Sequence, residues 1–201
     1  MLAAFSFLTV IPATWRRRPT QREISNSRAY FPAVGLLLGL MLVGIERGCR
    51  EVFPDYLSAA VLLVSLVSVT RGLHLDGLMD TCDGLFGGFT RERRLDIMRD
   101  SRVGGFGVAG GVLVLLLKYG GLVSLLGMEE SGAAWSLLLI PMISRWSMVV
   151  ALSAFTYGRI EGLGHAFHQG SVAWSTAVAS VIVVVAAVLL GGVGGAGMFA
   201  G

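Results

Sequence analysis

Residues Tyr56–Gly88 read YLSAAVLLVSLVSVTRGLHLDGLMDTCDGLFGG. The first fifteen carry no charge. The last eighteen, Arg71–Gly88, hold three aspartates, a histidine and five glycines. The apolar half approaches the length of a helix that crosses a bilayer, about 20 residues. If that helix continues past Thr70, then Asp76, Asp80 and Asp83 fall at i, i+4 and i+7, on one face. Three carboxylates on one face at a membrane edge repel one another, and the repulsion is costly unless a cation joins them. Mg²⁺ or Mn²⁺ suits the place, because hard divalent ions take oxygen ligands and keep positions open for phosphate oxygens. Gly77 and Gly84 each follow an aspartate and would let a neighbouring helix or a bulky substrate approach the backbone.

Working outward, the whole chain has the same apolar character. Of its 201 residues, 54% are hydrophobic and 14% charged, against about a quarter charged in a soluble domain. Five runs predict membrane-crossing helices: Tyr30–Ile45, Tyr56–Thr70, Gly105–Gly127, Ala133–Phe155 and Val172–Leu190. The expected fold is all-α, a polytopic integral-membrane helix bundle of about five spans. Residues 1–201 are expected to form a single membrane domain with a cytoplasmic segment rich in aspartate and arginine. The N-terminal MLAAFSFLTVIPATW is apolar but brief, and it lacks the basic region and small-residue cleavage site of a signal peptide.

Basic residues set the orientation. Arg16, Arg17, Arg18, Arg22 and Arg28 precede the first span; Arg91, Arg93, Arg94, Arg99 and Arg102 lie between the second and third; Arg159 lies between the fourth and fifth. The loops on the other side hold Arg47 and Arg50, then MEESG. The positive-inside rule therefore puts the N-terminus and the Leu73–Gly104 segment in the cytoplasm. A net charge of +3 argues against nucleic acid as a partner and fits topology, anionic lipid or phosphate. Cys49 and Cys82 have no metal-type spacing.

A second cluster follows the aspartates. RERRLDIMRDSRVGGFG, Arg91–Gly107, holds Asp96, Arg99, Asp100 and Arg102 before a glycine-rich turn. Guanidinium forks suit phosphate oxygens, and Asp100 could add a carboxylate to the first cluster. Arg145 lies midway along the fourth span, where a charge is expensive and normally faces a protein interior. Lys118, well inside the third span, could snorkel. His165 and His168 are spaced i, i+3 and read more simply as a loop pair than as metal ligands. Gly110–Gly111 and the Gly35/Gly39 pair look like helix-packing surfaces.

Aspartates and arginines at a membrane surface suggest metal-assisted phosphoryl or phosphodiester transfer. LHLDGLMDTCDGLFGG, followed by IMRDSRVGGFG, resembles the signature of the cobalamin 5′-phosphate synthase family, the adenosylcobinamide-GDP ribazoletransferases. FPAVGLLLG, LLLK at Leu115–Lys118, SRW at Ser144–Trp146 and GRIEGLG at Gly158–Gly164 resemble that family too. The resemblance implies a multi-pass enzyme of the cell inner membrane, using Mg²⁺, with its active site facing the cytoplasm. It would join adenosylcobinamide-GDP to α-ribazole or α-ribazole 5′-phosphate and release GMP, the last assembly step of vitamin B12. It also implies a further glycine-rich motif and a closing helix beyond the last span, which these 201 residues do not include. Association with itself or with other cobalamin-assembly enzymes is compatible with it. On this reading Asp76, Asp80 and Asp83 hold the metal, Asp100 assists or acts as base, and Arg99, Arg102 and Arg145 bind substrate phosphate.

Two rivals fit less well. CDP-alcohol phosphotransferases also carry helical aspartates, but their signature needs an alanine–arginine pair soon after the first Asp-Gly, and LMDTCDG stands there instead. A divalent-cation transporter should place its acids near the bilayer midplane, often in paired repeats, and the aspartate motif occurs once.

Overall fold

The computed structural model describes residues 1–11, 19–158, 163–168 and 172–198, with side chains up to residue 190. It is helical, with no strand among the described residues. In chain order the helices are α1 (Leu2–Leu8), α2 (Gln21–Ser27), a 3-10 turn (Arg28–Tyr30), α3 (Phe31–Arg50), α4 (Asp55–Val69) and α5 (Leu73–Gly87). They continue with α6 (Arg91–Ile97), α7 (Gly105–Leu126), α8 (Glu130–Ala154), α9 (Leu163–His168) and α10 (Val172–Met198). Four stretches are long and apolar enough to span a membrane: Gln21–Arg50, Gly105–Leu126, Glu130–Ala154 and Val172–Leu190. The bent pair α4–α5 makes a fifth candidate. Four of the five expected spans thus appear as long helices, and the second appears as the bent pair. The helices form two compact units, Phe53–Gly127 and the remainder of the chain.

In the unit that joins both ends of the chain, α3 lies antiparallel against α8. The reason is the Gly35/Gly39 pair. A Cβ on Gly35 would lie 2.6 Å from Met142 Cα, and one on Gly39 would lie 2.7 Å from Leu138 Cα. Only hydrogen permits this backbone-to-backbone approach, the usual way to gain packing where lipid offers no hydrophobic drive. Pro141 has no N–H, so the carbonyl of Leu137 loses its helical donor; a Cβ on Gly39 would lie 2.8 Å from that carbonyl. Trp146 Nε1 donates to Ser180 Oγ at 3.0 Å, and Ser153 bonds Thr176, which fixes α8 against α10. Thr20 and Glu23 form a capping box that starts α2. Glu46, 2% exposed, is matched by Arg50 one turn on at 2.6 Å.

In the other unit the expected long helix does not form. α4 stops at Val69 with a Schellman motif: the Gly72 N–H donates to the Val67 carbonyl at 2.8 Å, and the Arg71 N–H to the Ser68 carbonyl at 3.1 Å. Arg71 and Gly72 are both left-handed, at φ 53° and 65°. Gly72 adopts this freely, whereas Arg71 does so at a cost of about 1–2 kcal/mol. The chain turns by 84° and a new helix, α5, begins. The aspartates therefore stand on their own helix, not on the end of a span. Their i, i+4, i+7 relation survives because α5 is itself helical.

Candidate active site on α5

Helix α5 carries all three aspartates, and its faces have different surroundings. One face packs on α7. Met79 and Cys82 meet Gly111 and Gly110, so the small residues of α7 serve as the predicted packing surface. Asp83 lies on this buried side, 9% exposed. Its two carboxylate oxygens accept the backbone N–H groups of Gly104 and Gly107 at 2.7 and 2.8 Å. Those groups belong to the start of α7, whose first N–H groups have no helical acceptor. A negative charge there is also favoured by the helix dipole. Glycine is required at both places, because a Cβ on either would collide with the Asp83 carboxylate.

Asp76 and Asp80 stand by their spacing on the same face as Asp83 but are less buried. Asp76 is exposed and Asp80 half-buried. Gly77, between them, has nothing within 4 Å of where its Cβ would be. Gly84 does meet a neighbour: its missing Cβ would lie 2.6 Å from the Met98 side chain and 3.0 Å from the Arg94 carbonyl. So one of the two glycines serves helix packing and the other leaves space unfilled.

Three aspartates converging on one ion is not the arrangement found. Among the described residues no three of His, Cys, Asp and Glu are close enough to share a metal. Asp83 is instead turned to cap α7, with both carboxylate oxygens engaged there.

Capping has a second effect. By holding Gly104, Asp83 ties the Met98–Val103 loop back to α5, with Arg102 only two residues away along the chain. In that loop Arg102 grips Asp100: Nη2 donates to Oδ2 at 2.7 Å, Nε reaches both oxygens at 3.1 Å, and the Arg102 N–H donates to Oδ1 at 3.0 Å. These bonds hold the Asp100 carboxyl down to about 2 and push the Arg102 guanidinium up. A carboxylate so acidic is a weak base at neutral pH. In this structure the Asp100 carboxylate is engaged by Arg102. Arg99 is exposed in the same loop.

Arg145 belongs to the other unit, on α8, where it is 4% exposed and its Nε has no hydrogen-bond partner. The structure therefore groups Asp76, Asp80, Asp83, Asp100, Arg99 and Arg102 in one unit and leaves Arg145 in the other. His168 bonds the carbonyls of Gly164 and Phe155 through its two ring nitrogens, which fits a structural residue. Arg16, Arg17, Arg18 and Arg159, used in the orientation argument, lie outside the described residues, as does most of GRIEGLG. Sequence reasoning missed the pairing of Asp83 with Gly104 and Gly107; the signal available was the Gly-x-x-Gly spacing at the start of an apolar run.

Comparison with known proteins places these features in a family. The family model for cobalamin-5-phosphate synthase matches residues 1–201. The chain is 39% identical over 168 residues to an adenosylcobinamide-GDP ribazoletransferase of Desulfitobacterium hafniense, covering 84% of this chain and 66% of the relative. It is 40% identical over 195 residues to the ribazoletransferase of Geotalea daltonii, covering 96% and 77%. The enzyme of the same name from Desulforamulus reducens is 36% identical over 193 residues, covering 96% and 76%. The chain thus spans between 66% and 77% of the length of these relatives. No solved structure matches it.

Proposed function

The chain belongs to the cobalamin-5-phosphate synthase family, and from that premise we propose that α5 carries the reaction named by its relatives. The cobinamide-phosphate group of adenosylcobinamide-GDP passes to α-ribazole or its 5′-phosphate, and GMP leaves. A ribose hydroxyl of the acceptor forms the new bond to the phosphorus nearer cobinamide. The bond from that phosphorus to the oxygen bridging to GMP breaks, and the hydroxyl proton passes to water.

The observation that carries this reading is the division of labour on α5. Asp83 is spent on fixing the loop that bears Arg99 and Arg102, while Asp76 and Asp80 flank the unfilled space at Gly77. A carboxylate pair about 5–6 Å apart at Cβ fits Mg²⁺, which is commonly bound by one or two carboxylates plus substrate phosphates. Asp76 and Asp80 would hold it. When bound, Mg²⁺ neutralises charge on the diphosphate and on the departing phosphate. Arg102, aimed by Asp100, and Arg99 bind diphosphate oxygens. The diphosphate bond is then broken in the cytoplasm, where the arginine asymmetry of the sequence puts this loop.

GMP release by the protein in nanodiscs, with adenosylcobinamide-GDP, α-ribazole and Mg²⁺, tests the reaction. Arg102→Ala should raise the KM for the GDP-bearing substrate about 10-fold or more, the worth of one charge-assisted bond of roughly 1.5–3 kcal/mol. The KM for α-ribazole should move less. No GMP with both substrates present overturns the synthase reading.

A further inference from the structure

We propose that the unit formed by the two ends of the chain holds the acceptor nucleoside, with its base in an aromatic cavity and its 5′-phosphate on Arg145 and Arg28. This rests on the synthase reading and adds to it a place for the second substrate. Three observations carry it.

The first is the cavity. It is an open cleft of about 430 Å³, within the roughly 300–1,000 Å³ of small-ligand sites. Phe7, Phe31, Phe167, Tyr157, Met148 and His168 help line it. Phe7, Phe31 and Phe167 contact one another with centroids 4.8–6.0 Å apart, and the Tyr157 ring lies 5.6 Å from that of His168. A wall of rings with few charges suits a flat aromatic base.

The second is the pair of buried cations. Arg28 is fully buried, and none of its three side-chain nitrogens has a hydrogen-bond partner. Arg145 is 4% exposed with its Nε unpartnered. A guanidinium removed from water without an acid is strongly disfavoured, so an anion is the expected complement. Bidentate phosphate recognition is what the guanidinium fork does best.

The third is position. Gly35 meets Pro141 and Met142, and Gly39 meets Leu137 and Leu138. Following this antiparallel register by one turn puts Phe31 level with Arg145, and Arg28 level with Met148. Neither arginine itself lines the cavity, but Arg28 is three residues before Phe31 and Arg145 three before Met148, so each stands one turn along the chain from a residue that does. Arg28 also belongs to a 3-10 turn inside an otherwise continuous helical run. Such a turn is a common hinge, and its conversion to α would re-aim the guanidinium. Base and phosphate together specify an aromatic nucleoside monophosphate, and the acceptor α-ribazole 5′-phosphate is that class.

Calorimetric titration of the protein in nanodiscs with α-ribazole 5′-phosphate, α-ribazole and GMP tests this. The phosphorylated acceptor should bind at least 10-fold tighter than α-ribazole, and tighter than GMP. Arg28→Gln and Arg145→Gln should each bring the two acceptors to within about 2-fold of each other while leaving α-ribazole binding unchanged. Arg28→Lys, which keeps the charge, should retain part of the preference and guards against a Gln variant that fails to fold. Asp80→Asn should keep the full preference while losing turnover, so failure here and failure of the α5 reading are separate results. Equal binding of both acceptors by the unmodified protein overturns the proposal, as does a preference untouched by the Gln variants, or tighter binding of GMP.

Discussion

Two buried charges show opposite solutions to one problem. Asp83 is 9% exposed and satisfied, with an N–H on each carboxylate oxygen and the positive end of α7 before it. Arg28, in the other unit, is more deeply buried and has no partner for its guanidinium. A satisfied buried ion belongs to the fold. An unsatisfied one costs stability and is tolerated where something outside the chain completes it. The contrast bears on the α5 aspartates as well: Asp83 is satisfied within the fold, and the proposed reaction assigns its work to Asp76 and Asp80.

The largest effect that could break this contrast is on stability. Asp83→Ala strands two N–H groups and removes charge-assisted bonds, so it should cost about 2–4 kcal/mol. Hydrogen exchange should show the first turn of α7 losing its protection. Arg28→Met should leave the thermal midpoint unchanged or raise it, since replacing an uncompensated buried ion with an apolar residue is neutral or stabilising. Equal losses for both variants would erase the distinction.

Somewhat smaller is Gly107→Ala. The new methyl meets the Asp83 carboxylate, and a forced shift of this kind costs about 1–3 kcal/mol. Gly105, whose Cβ would meet nothing within 4 Å, is the control, and Gly105→Ala should be near neutral. Gly77→Ala sharpens the contrast from the functional side. Filling open space in a helix with alanine should stabilise α5 by up to about 1 kcal/mol, yet GMP release should fall, because substrate needs that space. A variant both more stable and fully active would mean that the face is idle.

The smallest effect concerns Asp100. Its carboxyl is lowered from 3.8 to about 2 by Arg102. A depressed acid contributes its stabilisation above the ordinary carboxylate range and loses it as pH falls through the folded value. The fork should therefore open only between about pH 4 and pH 2, as read from the Asp100 carboxyl signal in NMR. Turnover between pH 5 and 8 should show no inflection from Asp100.

The spans were legible because each is a long apolar run, and length decides whether such a run can cross a bilayer. The Gly35/Gly39 contact was legible for the same kind of reason, since a small residue every four positions marks one helix face. The break at Arg71–Gly72 was not. A single glycine is weak punctuation, and the residue at the Schellman position is an arginine where glycine is usual. The use of Asp83 as a cap was hidden too, because it pairs residues 21 and 24 positions apart, and periodicity reports only what lies along one helix. Arg28 read as a topology marker, since nothing local separates a buried guanidinium from a solvated one.

The central claim is that Asp80 works in the reaction while Asp83 holds the fold. The direct test is GMP release by Asp80→Asn protein in nanodiscs across a Mg²⁺ titration, with the thermal midpoint measured on the same sample. The account predicts turnover lowered by about 100-fold or more, a weaker Mg²⁺ dependence and an unchanged midpoint. Normal turnover at low Mg²⁺ would contradict it.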